Sequence, residues 1–208
     1  MPIPVTTPYL LHTMAPSVVW RIPEKERVVY LTFDDGPIPQ VTEFVLDTLK
    51  HHGASATFFC IGKNVRENQE IYDRILNEGH HIGNHTENHL NGWNTGSSAY
   101  YRDIIKASES IDSNLFRPPY GKIRIHQARS VMHRYRIVMW DVLTYDFHKD
   151  VSKEKCLYNA TEYTKPGSIV VFHDSRKAFR NLEFALPRTL ENLKSKGYKF
   201  ANLSKVII

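Results

Sequence analysis

Thr32-Phe33-Asp34-Asp35-Gly36-Pro37 is a strand end with two surplus charges. Val28 to Phe33 leads into it as an apolar, β-prone run, and Gly-Pro stops the run at once. Successive side chains on a strand face opposite sides. Asp34 and Asp35 can therefore both be ordinary solvent residues only if the strand has already ended. One reading is a polar turn, because Asp-Gly and Gly-Pro are common loop punctuation. The other is that the two acids do chemistry.

Working outward, strands and helices alternate. Val41, Phe44, Val45 and Leu49 predict a helix stopped by Gly53. Ala56 to Ile61 reads as a buried strand. Arg66 to Asn77 reads as a helix with Ile71, Ile75 and Leu76 inward, and His80 to Asn84 as a short strand. A helix over Ser98 to Ser113 would bury Tyr101, Ile104, Ile105, Ser108 and Ile111. Leu115-Phe116 enters Arg117-Pro118-Pro119-Tyr120-Gly121, which the paired prolines bar from helix or central strand. Ile125 to Tyr135 is helical, Arg136 to Leu143 one strong strand, Lys153 to Tyr163 a helix and Ser168 to His173 an apolar strand. Pro187 suits the first turn of a last helix carrying Leu186, Leu190 and Leu193, and Phe200 to Leu203 a final strand. Residues 1–27 are Pro-rich and read as an irregular N-terminal arm, with the domain at 28–208. Apolar strands in regular alternation with helices predict an α/β architecture with a parallel sheet. Asp34-Asp35, His85, Arg117, Asp146 and His173 all fall just after strands, the end that carries the chemistry in α/β barrels.

The totals bound the rest. With 208 residues, 41% hydrophobic and 24% charged, the chain suits one globular domain. The net charge of +5 is spread out, with no basic block, which argues against nucleic acid. Cys60 and Cys156 make neither a disulfide framework nor a CxxC site, so two buried thiols are expected. No apolar run approaches a membrane span. Met1 to Trp20 lacks the basic and apolar regions of an export signal, so a cytoplasmic location is expected unless a leader is missing from the chain. The oligomeric state is not legible.

His85-Thr86-Glu87-Asn88-His89 sets two imidazoles at i and i+4, which on a helical turn would share a face and grip one metal. Among eleven histidines chance pairs are expected, and His81 and His85 form another, although Ile82-Gly83 argues against a helix there. Glu87 is not placed as in the zincins. Two histidines and a carboxylate make a plausible catalytic zinc set, and Asp34 or Asp35 would complete it. Arg117 offers one cation fixed on a rigid loop. His173 has the intrinsic pKa of a general acid, with Asp146 as a carboxylate to orient it.

In this order, Thr32 to Pro37, His85-Thr86-x-x-His89, Arg117-Pro118-Pro119-Tyr120, Asp146 followed by an aromatic, then Val171-Phe172-His173, the chain resembles the polysaccharide deacetylases of the fourth carbohydrate esterase family. The likeness runs from about Val28 to Leu203. It implies a distorted (β/α) barrel and hydrolysis of N-acetyl groups from N-acetylated oligo- or polysaccharides. It also implies one divalent metal, zinc or another such as cobalt, on Asp35, His85 and His89. Asp34 would then be the base, oriented by Arg117, with Thr86 bracing the metal loop. His173 would be the acid, tethered by Asp146, and the Tyr120 N–H would face the oxyanion.

Tyr120, Pro119, Val171, Phe147 and Leu143 are the expected substrate contacts. Two departures stand out: Leu143 occupies the place of a family Asp, and Phe147 that of a Trp. They put the acid's wall, not the metal side, in question. A deacylase for a small non-polymeric amide and a silent carbohydrate-binding relative are the alternatives. Trp93, Trp140 and Tyr145 are candidate sugar-stacking residues.

Overall fold

β1 spans Val28–Asp34 and lies in the middle of the sheet. The computed structural model describes residues 4–205; the expected arm and domain extend past them at 1–3 and 206–208. Within the arm the structure has one short helix, α1 (Tyr9–Met14). After β1 come α2 (Val41–His52), β2 (Thr57–Cys60), α3 (Gly62–Glu67), α4 (Gln69–Asn77), β3 (His81–Asn84), α5 (Ser97–Ala107) and β4 (Leu115–Phe116). A 3-10 turn at Pro119–Gly121 precedes α6 (Ile125–Val131), β5 (Arg136–Ile137) and β6 (Val142–Leu143). The chain continues through α7 (Lys153–Glu162), β7 (Ile169–His173), α8 (Phe179–Ser195), β8 (Lys199–Ala201) and a last 3-10 turn at Leu203–Lys205.

The strands run in the order β5-β4-β3-β2-β1-β7-β6, with β8 beside β1, and pair in parallel throughout. The first and last strands of that order, β5 and β6, are only four residues apart in sequence, 138–141. The sheet must therefore curl until its two edges meet, which makes a distorted barrel. The single strand expected over Arg136 to Leu143 is split for this reason. Its first half pairs with β4 and its second with β7, and the arm fills the step between them. Met139 N–H donates to the Val19 carbonyl at 2.8 Å, Thr7 N–H to Asp141 at 3.0 Å and Leu143 N–H to Val5 at 2.8 Å.

Strand parity separates two cores. Val29, Leu31 and Phe33 of β1 join Phe58, Cys60, Val170 and Phe172 against the helices. Tyr30, Phe59, Ile169, Val171, Leu143 and Phe116 fill the inside of the curl. Asp34 shares the parity of Tyr30, and His173 that of Ile169, so both end their strands facing inward.

The helices depart from the sequence reading in detail. The helix expected from Arg66 to Asn77 breaks at Asn68 into α3 and α4; Tyr72 and Ile75 are buried, and Leu76 is exposed. In α5 the inward residues are Tyr100, Asp103, Ile104 and Ala107, one step from the expected face, and Tyr101 is out. Pro187 lies inside α8, not in its first turn, because the apolar stripe of Leu186, Leu190 and Leu193 extends back to Leu182 and Ala185. Gly53 closes α2 with φ 61, as expected of a C-terminal glycine. Cys60 and Cys156 are buried and free. Among the described residues no helix is long and apolar enough to cross a membrane.

Candidate active site

The C-terminal ends of β1, β3, β4 and β7 converge on one cavity of about 430 Å³. Asp34, Asp35, His85, His89, Tyr120, Leu143, Phe147, Val171 and His173 line it, joined by Gly121, Lys122, Trp140, Ser175 and Lys177. Pro119, expected among the substrate contacts, is not in the lining; it begins the 3-10 turn and is buried within it. Arg117 and Asp146 stand behind the wall, each hydrogen-bonded to a residue that does reach the cavity.

Asp34 and Asp35 reach the same space although neighbours on a strand should not. Asp34 ends β1 facing inward. Asp35 has left the strand with φ 90, and this reversal turns its carboxylate back to the cavity. Gly36 follows because Asp174 leaves no room for a side chain; a Cβ there would lie 1.9 Å from Asp174 Oδ2. Gly36 N–H donates to Asp174 Oδ1 at 3.0 Å, and the Thr42 hydroxyl to Oδ2 at 2.6 Å. Burial pushes the Asp174 carboxyl up to about 8 despite those bonds.

His85 and His89 are not on a helix. Their segment is an irregular loop with positive φ at Thr86 (65) and His89 (55), so the shared helical face expected from the i, i+4 spacing is absent. The loop is instead built by hydrogen bonds. Thr86 N–H donates to Asn84 Oδ1 at 2.8 Å and Leu90 N–H to Thr86 Oγ1 at 3.2 Å. Asp103 of α5 takes the N–H groups of Glu87 and Asn88, each at 3.0 Å, and the Asn88 amide at 2.6 Å. Glu87 is buried and paired with Arg66. Asp103 was outside the sequence reading, and its signal was an acid inside an otherwise apolar helical stripe.

Asp35, His85 and His89 each offer a ligand atom within 4.8 Å of the others. Asp35 Oδ1 lies 3.2 Å from His89 Nε2 and 3.8 Å from His85 Nε2, and is buried with no hydrogen-bond partner. Ligand atoms about 2 Å from a shared tetrahedral zinc stand roughly 3.4 Å apart, so the spacing fits. The chemistry of the set fits as well. His85 Nδ1–H donates to the Arg117 carbonyl at 2.7 Å, which leaves Nε2 free to ligate. Burial lowers His85 to about 4, keeping it neutral. Burial works to raise Asp35, but the His89 contact and the neighbouring imidazoles hold it well below the carboxylate range.

Arg117 is completely buried. Its Nη1 donates to Asp34 Oδ1 at 2.7 Å and to Thr32 Oγ1 at 2.8 Å, its Nε to Val138 and its Nη2 to Met139 carbonyls at 3.1 and 2.9 Å. The guanidinium lies 4.0 Å from the Phe59 ring centre. Across the β1–β7 ladder, Asp34 is in register with His173. His173 Nδ1–H donates to Asp146 Oδ1 at 2.8 Å, and its backbone N–H to Oδ2 at 2.6 Å. Burial opposes the charge on His173, yet Asp146, by charge and hydrogen bond, raises it to about 9, with Asp35 and Asp34 adding.

The rings frame both sides. Tyr120 packs on His89 at 4.6 Å and Phe147 on His173 at 4.7 Å. Of the sugar-stacking candidates, Trp140 is buried in the cavity wall, Trp93 is exposed and Tyr145 is half-buried outside the lining. Among the described residues six non-glycine residues have positive φ, and Asp35, Thr86, His89, Tyr120 and Tyr145 are five of them. Backbone strain is thus gathered where the polar groups converge.

A family model described as polysaccharide deacetylase matches residues 21–139. A peptidoglycan-N-acetylglucosamine deacetylase of Bacillus cereus is 34% identical over 202 residues, covering 91% of this chain and 92% of that protein. The crystal structure of a peptidoglycan N-acetylglucosamine deacetylase in complex with 4-naphthalen-1-yl-N-oxidanyl-benzamide superposes with a TM-score of 0.88 at 34% identity, covering 96% of each chain. A Bacillus anthracis protein described as a pseudoenzyme of the same esterase family superposes with a TM-score of 0.79 at 25% identity, covering 91% of this chain and 68% of that one. The fold thus carries both active and silent members, and the residues of the site must decide between them. On the matched length and the ordered motifs, this chain belongs to the polysaccharide deacetylase family.

Proposed function

We propose that the protein is a metal-dependent hydrolase that removes N-acetyl groups from acetylated glycans. The observation that carries this is the orphaned Asp35 Oδ1 facing two imidazole nitrogens, beside an Asp34 carboxylate held separately by Arg117. Adjacent acids thereby take different roles. Asp35, His85 and His89 would hold a divalent cation, zinc or cobalt in type. When bound, that cation supplies Lewis acidity and makes water a stronger nucleophile near neutral pH.

Asp34 accepts the proton of the attacking water, and Arg117 fixes the carboxylate that receives it. The Tyr120 N–H, in the strained turn at φ 61, is the donor suited to the carbonyl oxygen as it gains charge. His173 gives a proton to the departing amine through Nε2, since Nδ1 is engaged by Asp146. Val171, Leu143 and Phe147 supply apolar wall for the acetyl methyl, and Trp140 adds to that wall. The substitutions at Leu143 and Phe147 make the acid's side drier than a carboxylate-lined one would be.

Acetate release from chitin oligomers, peptidoglycan and small acetamides, with metal analysis of the purified protein, tests the reading. Release from the glycans together with bound metal supports it. Release from small acetamides alone would assign a non-polymeric amide instead, and glycan binding without acetate would assign a silent carbohydrate-binding role.

A further inference from the structure

The candidate ligands come from two strands that are not neighbours in the sheet. Asp35 follows β1, and His85 and His89 follow β3. β2 lies between them, and none of its residues is in the ligand set. What β2 supplies is its end and the segment 61–68 that follows. The Phe59 carbonyl takes the Asp35 N–H at 3.3 Å, and the Cys60 carbonyl takes the His85 N–H at 2.9 Å. The segment then donates to both ligand loops. On the Asp35 side it reaches three successive carbonyls: Asn64 Nδ2 donates to Asp35 at 2.7 Å, the Ile61 N–H to Gly36 at 3.0 Å and Asn68 Nδ2 to Pro37 at 3.3 Å. On the histidine side the Gly62 N–H donates to Thr86 at 3.0 Å and the Lys63 N–H to Glu87 at 3.2 Å. Arg66 pairs with the buried Glu87 side chain of the same loop.

Close approach makes this possible. A Cβ on Gly62 would stand 2.3 Å from Glu87 Oε2 and 2.9 Å from the Ala107 Cα, so only glycine lets α3 come so near. Val65, fully buried, pins α3 into the core. The contacts also meet a need. Asp35, Thr86 and His89 all hold positive φ, and such backbone persists only where its surroundings over-determine it. The shortest bond to these carbonyls comes from a side chain, that of Asn64, and it falls on the ligand residue itself. With Phe59 on its N–H and Asn64 on its carbonyl, Asp35 is gripped on both sides of the Cα that carries the carboxylate. No residue of 61–68 lines the cavity, so the segment acts on the ligands and not on the substrate.

Resting on the metal-dependent reading above, we propose that residues 61–68 are a brace that sets Asp35 against His85 and His89, and that Asn64 is the positioning residue for the Asp35 ligand. Cobalt added to the metal-free protein tests it, because the visible spectrum of bound cobalt reports ligand geometry as well as occupancy. Asn64→Leu keeps the bulk, suits a helix better than Asn and removes the donor. It should weaken cobalt affinity by about 10- to 100-fold, read by competition with a chelator, and change the absorption bands. At saturating cobalt, kcat for acetate release from a chitin oligomer should fall by about tenfold or more, with KM within about twofold of the unaltered protein. Asn64→Gln keeps the amide and should recover part of the affinity; a Gln variant no better than Leu counts against the amide. Leu193→Ala, which opens a cavity under α8, is the control for lost stability alone. It should lower Tm and leave cobalt affinity and spectrum unchanged. Equal effects of Leu193→Ala and Asn64→Leu on affinity and spectrum overturn the proposal. So do an unchanged affinity and spectrum in Asn64→Leu beside cobalt binding by the unaltered protein, which contradict the brace alone. No cobalt binding by the unaltered protein contradicts the metal reading and removes the brace with it. Cobalt binding without acetate release contradicts the deacetylase reading alone, and affinity and spectrum still decide the brace.

Discussion

The Arg117 guanidinium and the Asp34 carboxylate meet at 2.7 Å with both side chains buried. The same Arg117 takes the Nδ1–H of His85 on its backbone carbonyl. One residue therefore sets the position of the base with its side chain and the tautomer of a ligand with its main chain. Removing its side chain leaves Asp34 unpaired and frees two carbonyls, those of Val138 and Met139. Arg117→Met should lower the unfolding free energy by about 3–5 kcal/mol, measured by urea denaturation of the metal-free protein. A loss below about 1 kcal/mol would show that the pair is dispensable to the fold.

The metal loop depends on Asp103 as well as on its histidines. His85→Ala should abolish stoichiometric metal binding. Asp103→Ala should weaken affinity by about 10- to 100-fold while leaving the ligands in place, and Asp103→Asn should do less. Competition with a chromophoric chelator reads all three. Unchanged affinity in Asp103→Ala would remove Asp103 from the account.

His173 gives a pH dependence of defined sign. Its pKa is raised in the folded state to about 9, so the folded protein holds more protons than the unfolded chain above about pH 6.5. The stabilisation from the His173–Asp146 pair is full below that value and is lost as pH rises toward about 9. The metal-free protein should therefore melt at falling temperature across this window, and Asp146→Asn should flatten the slope. A slope unaltered by Asp146→Asn would contradict the assignment.

Gly36 and Asp174 should be coupled. A Cβ on Gly36 would stand 1.9 Å from Asp174 Oδ2, so Gly36→Ala must displace that carboxylate or the turn. In an Asp174→Ala background the same substitution should cost less, with a coupling of about 1 kcal/mol or more in a double-mutant cycle. Additive effects would mean that the turn relaxes without Asp174.

Much of this site was legible because its residue types are unusual where they stand. Two acids at the end of an apolar strand, and a histidine closing another, conflict with burial unless they are used. The parity of β1 and β7 then turns Asp34 and His173 inward. The helical faces of α4 and α5 were less legible, because Leu76 and Tyr101 fit a smooth stripe as well as Tyr72 and Tyr100 do, and the break at Asn68 resets the phase. The split of Arg136 to Leu143 is invisible locally, because it follows from the curl of the sheet, which sends the two halves to β4 and β7, and the arm that fills the step lies more than a hundred residues away. The positive φ of Asp35, which brings the second acid to the cavity, is a tertiary property with no signature beyond the following glycine.

The division of labour between Asp34 and Asp35 is tested most directly by acetate release and metal content measured together on Asp34→Asn. The predicted result is a fall in turnover of about 10²- to 10⁴-fold with metal bound at full stoichiometry. Near wild-type turnover, or loss of the metal along with activity, would contradict the separation of base from ligand.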